Sequence, residues 1–114
     1  MEYGQYQVVI VNLEPTIGSE IKKTRPCVIV SPNEMNKYLR TVTVVPVTSQ
    51  SKVYPTRVEI ILQGNQNWAV IDQIRTIDKS RITKAVGSLT DEESSQIKQV
   101  IKETFVDWWN NNGR

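Results

Sequence analysis

Five short runs rich in β-branched residues, followed by a single amphipathic helix, leave few folds open to this chain of 114 residues. Tyr6–Leu13 is the first run, with Val8, Val9, Ile10 and Val11 in succession, and it reads as a strand. Pro26–Val30 is the second, with proline tolerated at its first position. Thr41–Thr48 is the third, and Pro46 inside it predicts an edge strand or a bulge, because proline has no N–H for a ladder. Thr56–Leu62 alternates as a fourth strand, and Trp68–Ile74 reads as a fifth. Glu14 to Thr24, with Pro15 and Gly18, is a long connecting loop, a class that is often functional. Ser31-Pro32-Asn33 turns the chain into a short helix over residues 33–39. Ser49 to Pro55 is a polar loop, and Gln63-Gly64-Asn65-Gln66-Asn67 is a turn cluster.

The helix has the clearest local signature. Thr90-Asp91-Glu92-Glu93 forms a capping box, with Thr90 at N-cap and Glu93 reaching back to it. Three acids in the first turn suit the positive end of the helix dipole. Ile97, Val100, Ile101, Phe105 and Trp108 follow at helical spacing on one face, and Asn110-Asn111-Asn112-Gly113 ends the element. Val106 and Trp109 lie off that stripe, which suits an interface and a frayed, exposed end equally well. One amphipathic helix after several strands predicts a single α+β domain, mainly β, with the helix packed on a sheet or small barrel. The length is about that of one domain, with a core modest enough to leave room for a partner subunit.

Composition excludes several chemistries. There is no histidine, so a Ser-His-Asp triad, a His-based metal site and a two-histidine ribonuclease mechanism are ruled out. The single cysteine, Cys27, cannot form an internal disulfide or a cysteine-based zinc site, and reads as a small buried apolar residue in a reducing compartment. No GxGxxG or P-loop pattern points to a nucleotide cofactor. No stretch approaches the ~20 apolar residues of a membrane span. The N-terminus, Met1-Glu2-Tyr3-Gly4-Gln5, has no basic region before an apolar one, so a cytoplasmic protein without a secretory signal is expected. The formal charge is only +2, but residues 1–90 hold 11 Lys and Arg against 7 Asp and Glu. That excess among the strands and loops suits an anionic polymer, and suits an ordinary solvated surface at least as well.

One segment combines groups suited to a phosphate. Pro15-Thr16-Ile17-Gly18-Ser19-Glu20 ends in a glycine, a hydroxyl and an acid, with Lys22, Lys23 and Arg25 close behind. Backbone amides, a serine and three cations make a cradle for an anion. Taken alone, the same residues describe a mobile surface loop rather better.

The order of several pieces changes that balance. Pro15–Glu20, Thr24-Arg25-Pro26, Val45-Pro46-Val47-Thr48-Ser49-Gln50-Ser51-Lys52, Tyr54-Pro55 and Asp72-Gln73-Ile74-Arg75-Thr76-Ile77-Asp78 occur in one succession. In that order and at those separations they resemble the MazF/PemK family of toxins, from Gly4 to the C-terminal helix. The resemblance implies an SH3-like β-barrel of the CcdB/MazF type with a C-terminal helix, and a homodimer. It implies a metal-independent endoribonuclease without cofactor that cleaves single-stranded mRNA at short sequences and is inhibited by a cognate antitoxin. Arg25 and Thr48 match the family's two catalytic positions.

The same resemblance suggests 2′-hydroxyl attack on the adjacent phosphorus. Arg25 suits the developing charge, because a guanidinium grips two phosphate oxygens at once. Thr48 suits a hydrogen bond to the phosphate or the 2′-hydroxyl. Glu20 is the candidate base, with an ion pair to Arg25 or a lysine as its equally weighted structural alternative. Candidate RNA contacts are Ile17, Gly18, Ser19, Lys52, Tyr54, Asn67, Asp72 and Gln73. Asp72 and Gln73 suit base edges, or else a polar pair that satisfies strand-end backbone groups. Tyr54 suits base stacking or simple turn packing. Trp68 reads as a loop-to-core anchor, and Arg75, Asp78, Lys79 and Arg81 as a salt-bridged surface or dimer contact. Some PemK-like members carry histidine where this chain has Ser19, and a basic residue where it has Val70, so their histidine chemistry does not transfer. A CcdB-like gyrase poison and a non-enzymatic RNA-binding barrel are the alternative functions.

Overall fold

Strand β1 (Gln7–Asn12) is apolar at consecutive positions because both of its faces are covered. Val8 enters one core with Val28, Val45, Val47, Ile60, Ala69 and Ile71. Val9 and Val11 enter another with Cys27, Ile29, Val42, Val44 and Ile77. The side chains of a strand alternate between faces, so one β-branched run feeds two cores. In the computed structural model, which describes residues 2–50 and 54–107, these cores lie on opposite sides of one curled sheet.

The remaining elements are β2 (Thr24–Ile29), α1 (Asn33–Tyr38), β3 (Thr41–Thr48), β4 (Arg57–Leu62), β5 (Asn65–Val70), β6 (Arg75–Asp78), β7 (Ile82–Ser88) and α2 (Asp91–Ile101). The strand order is β4-β5-β3-β2-β1-β7, with β6 also paired to β3. This mostly β half-barrel with a C-terminal helix is the fold class expected from sequence. All strand pairs are antiparallel.

Three local expectations change. Pro46 is not on an edge strand: β3 is central and Pro46 is buried opposite Cys27 of β2. On its other side β3 changes partner, pairing β6 through Thr41–Val44 and β5 through Val47–Thr48, and the proline sits at that gap. The turn cluster shrinks to Gln63-Gly64, with φ of 50° and 80°. Two successive positive φ values make a tight hairpin turn that matches strand twist, and β5 therefore starts at Asn65. Asp72 and Gln73 then fall in a short 3-10 turn, Ile71–Gln73, rather than in a strand.

The charged stretch 75–81 is β6 and a 3-10 turn, and its cations hold backbone carbonyls rather than acids. Arg75 Nη1 donates to the Leu13 carbonyl at 3.3 Å, and Arg81 Nη1 to those of Asn12, at 3.3 Å, and Glu14. Lys79 Nζ donates to the Asn36 carbonyl. The salt bridge found among the described residues is Lys102–Asp107. β7 carries no clear strand pattern in the sequence, because Lys84, Gly87 and Ser88 dilute it, as befits a largely exposed edge strand.

The capping box forms as expected, with Glu93 N–H donating to Thr90 Oγ1 at 3.1 Å and Thr90 N–H to Glu93 Oε1 at 2.9 Å. Glu93 Oε2 also accepts the Ile61 N–H at 2.8 Å, which satisfies an outward group of edge strand β4. Ile97 and Val100 are buried in the first core. From Lys102 to Val106 the coil widens to a π-helix, which breaks the 3.6-residue register. Phe105 is consequently 53% exposed, off the buried face where sequence spacing put it. Trp108, Trp109 and the expected helix end at 110–113 lie outside the described residues. Among the described residues no helix is long and apolar enough to cross a membrane.

Ile97 is fully buried and joins α2 to the sheet. Ile97→Ala is expected to destabilise the fold by about 2–5 kcal/mol, read as a lower urea midpoint in equilibrium unfolding.

Candidate active site

Antiparallel pairing brings Arg25 and Thr48 together. The β2–β3 register matches Ile29 with Val44, Val28 with Val45 and Cys27 with Pro46. The paired ladder ends at Cys27–Pro46, and counting on in the same register brings Arg25 and Thr48 to facing positions. Residues directly opposite on antiparallel strands share a face, with Cβ atoms about 4.5–5.5 Å apart. Both side chains line one open cavity of about 290 Å³, whose other wall is the β1–β2 loop from Gly18 to Lys23.

The charge of this cavity is cationic. Lys22, Lys23 and Arg25 line it against one acid, Glu20. Arg25 Nε donates to the Lys22 carbonyl at 3.1 Å. That bond steadies the side chain and spends only one of its five N–H donors. Thr48 is 8% exposed, and its Oγ1 accepts the Gln50 N–H at 3.2 Å. A hydroxyl that accepts one bond still has its own proton to donate.

Among the described residues, Glu20 does not form the ion pair with Arg25 or a lysine that the sequence allows. Its Oε1 accepts the Ile17 N–H at 2.6 Å, while its own N–H donates to the Ile17 carbonyl at 3.2 Å. These bonds fold residues 17–20 into a tight turn. Gly18 has φ 59° there, a left-handed conformation that suits glycine. Ile17 stands at the tip, 82% exposed. Glu14, at the loop's start, has its carboxyl held below the usual range, chiefly by the Thr16 hydroxyl bonded at 2.8 Å.

A second cavity of about 390 Å³ adjoins the first and shares Ser19, Glu20 and Ile21 as a common wall. Asp72, Gln73 and Arg75 line its far side. Asp72 Oδ1 accepts the Thr56 hydroxyl at 2.8 Å. Gln73 reaches the shared wall itself: its Oε1 accepts the Ile21 N–H at 2.7 Å, and its Nε2 donates to the Ser19 carbonyl at 3.4 Å. Ile17 stands at the rim of this second cavity.

The other sequence candidates are placed differently. Asn67 lies in β5 rather than in a turn, on the face opposite Thr48, and lines a separate cleft with Asn65 and Ile10. Tyr54 is half exposed, with the Arg57 guanidinium 5.2 Å from its ring centre, and lines neither cavity. Lys52 lies outside the described residues. Two residues were not singled out as site candidates. Gln50 lines the first cavity, and Trp68 pairs directly with Thr48 across β5 and β3. Only strand register reveals the latter, because 20 residues separate the two.

Known proteins place the chain in a family. Residues 4–105 match the family described as PemK-like, MazF-like toxin of type II toxin–antitoxin system. The chain belongs to this family. Among relatives, endoribonuclease MazF9 of Mycobacterium tuberculosis is 32% identical over 111 residues, covering 87% of this chain and 92% of that protein. The crystal structure of MazF from Deinococcus radiodurans superposes with a TM-score of 0.81 at 23% identity, over 90% of this chain and 96% of that one. An endoribonuclease solved with its cognate antitoxin, from a mycobacterial species, superposes with a TM-score of 0.75 at 22% identity, over 88% and 91%.

The cysteine of this MazF-like chain is structural. Cys27 is fully buried, and burial pushes its thiol from the ordinary 9.0 up to about 12, against a smaller opposing pull from Arg75. The folded thiol therefore stays neutral and unreactive at neutral pH. The folded value is the higher one, so its contribution to stability is whole below about pH 9. It is lost as pH rises toward 12, because the unfolded chain ionises first. Iodoacetamide at pH 8 is expected to alkylate Cys27 in urea far faster than in the native protein, as read by mass spectrometry.

Proposed function

We propose that this chain is an endoribonuclease toxin that cleaves single-stranded mRNA in the cavity between Arg25, Thr48 and the β1–β2 loop. The observation that carries the reading is the shared cavity itself: a guanidinium and a threonine hydroxyl, distant in sequence, meet in a cationic recess. RNA carries its own nucleophile. The 2′-oxygen bonds to phosphorus, the bond from phosphorus to the 5′-oxygen breaks, and the proton passes from the 2′-hydroxyl to the leaving 5′-oxygen. The products are a 2′,3′-cyclic phosphate and a 5′-hydroxyl.

Each step has a group suited to it. Arg25 is steadied through Nε by Lys22 and uses its terminal N–H groups to hold the non-bridging oxygens. Thr48 donates its hydroxyl proton to the same phosphate, having accepted from Gln50. Glu20 is the one carboxylate among the described residues lining the cavity, and is our candidate for the 2′ proton acceptor. Its Oε1 is bonded to the loop and its Oε2 is the atom we assign to that task. Lys22 and Lys23 neutralise flanking phosphates, and Gly18 and Ser19 let the strand approach the loop backbone. None of these steps calls for a metal ion.

Sequence preference arises, in this reading, in the second cavity, where Asp72 accepts from an exocyclic amine of a flanking base. Ile17 at the rim meets a base face, and Tyr54 offers a further stacking surface beyond the two cavities. A second copy of the chain covers exposed apolar side chains at Ile61, Phe105 and Val106. The antitoxin lays a disordered acidic and apolar segment, which folds on binding, over the cationic cavity in the cytoplasm.

The test incubates purified protein with single-stranded RNA in EDTA. Discrete fragments ending in cyclic phosphate are expected. Arg25→Ala is expected to lower the cleavage rate by roughly 10²–10³-fold while leaving thermal unfolding unchanged. Cleavage that requires added metal, or an Arg25→Ala protein as fast as the parent, overturns the mechanism. Inhibition of gyrase supercoiling without RNA cleavage would replace it with a protein-directed poison, and RNA binding without cleavage with a passive barrel.

A further inference from the structure

We infer that Gln73 is a positioning residue of this site: its side-chain amide grips the β1–β2 loop and sets the wall of the cavity in which Arg25 and Thr48 meet. The inference rests on the ribonuclease reading for its effect on rate, and on geometry alone for the grip.

The loop is anchored at two places. Near its start, Arg75 and Arg81 hold the carbonyls of Asn12, Leu13 and Glu14. Near its end, Gln73 makes two bonds of opposite polarity, accepting from the Ile21 N–H at 2.7 Å and donating to the Ser19 carbonyl at 3.4 Å. Gln73 thus treats residues 19–21 as a neighbouring strand would, through one amide that copies a peptide group. Between these anchors only the tip, around Ile17 and Gly18, projects freely, and its turn is closed by Glu20.

Position makes this grip matter. Ser19, Glu20 and Ile21 are the wall that the two cavities share. Without Gln73, the Ile21 N–H loses its partner, and the wall is left to the packing of the Ile21 side chain on the second core, which does not fix the backbone of Ser19 and Glu20. Glu20 would then shift relative to Arg25 and Thr48, which are fixed by strand pairing and do not follow. A displacement of about 1 Å in a reacting group lowers a rate by as much as ~10²-fold. Gln73 would accordingly act on the chemical step through the loop, without touching RNA.

Two variants and two measurements test the inference. Gln73→Leu keeps the shape and removes both bonds. Gln73→Glu keeps the acceptor for Ile21 and loses the donor to Ser19. Amide hydrogen exchange is followed at Ile21, with the Leu13 amide, bonded to the Lys23 carbonyl, as a control outside Gln73's reach. Single-turnover cleavage of single-stranded RNA is measured beside affinity for the same RNA with the reacting 2′-hydroxyl replaced by hydrogen. Gln73→Leu is expected to speed exchange at Ile21 but not Leu13, to slow cleavage by ~10–100-fold, and to leave analogue affinity within about twofold. Gln73→Glu is expected to restore protection at Ile21 and much of the rate. An unchanged rate, unchanged Ile21 exchange, or analogue affinity falling in step with rate overturns the inference, the last by marking a direct RNA contact. If the parent protein itself fails to cleave RNA, the ribonuclease reading falls, and the exchange comparison still decides whether Gln73 holds the loop.

Discussion

The pairing of β2 with β3 is the constraint on which the rest of the structure depends. Its ladder runs from Ile29–Val44 to Cys27–Pro46, and its continuation puts Arg25 beside Thr48. A slip of one residue would turn every side chain of one strand to the other face. Were β2 the strand that turned, Val28 would leave the first core and Cys27 the second, and Arg25 would no longer share a surface with Thr48. Burial of both faces thereby protects the register, and the register protects the site. The apolar cores and the cationic cavity are two consequences of one alignment.

The loop opposite those strands is governed by a different physics. Apart from Ile21, which packs on the second core, it buries little, and polar groups hold most of it. Arginines from the β6 region take carbonyls near its start, Gln73 takes an amide and a carbonyl near its end, and Glu20 closes the tip. Hydrogen bonds of this type each add only about 0.5–1.5 kcal/mol, so the loop is ordered without being frozen. A wall that must admit a nucleotide strand benefits from that balance.

Much of the fold could be read from the chain. Consecutive valines in β1, the capping box at Thr90 and Glu93, and the Ile97–Val100 spacing are local patterns, and each leads to its element. Less local features were hidden. Pro46 looks like an edge residue until β3 is seen to exchange β6 for β5 around it. Arg75, Lys79 and Arg81 look like surface charges until the carbonyls they reach, 43 to 69 residues away, are found. Of the candidate site, Arg25 and Thr48 stand out in the sequence through the order of their motifs, and Glu20 as a carboxylate beside a cationic cluster. Their common cavity does not, and neither does the place of Gln50 or Trp68 beside Thr48.

The amino-acid sequence alone determined five of the seven strands, where the helix begins, that histidine and internal disulfide chemistry are absent, and that a cationic loop follows the first strand. Those properties depend on near neighbours and on composition, which a linear string displays. Tertiary structure decided which face each residue serves and which distant groups meet. It turned Gln73 onto the loop, sent Asn67 to the opposite face and left Phe105 in solvent. Strand register, turn geometry and a widened helical coil govern those outcomes, and each is a relation between chain segments rather than a property of any one of them.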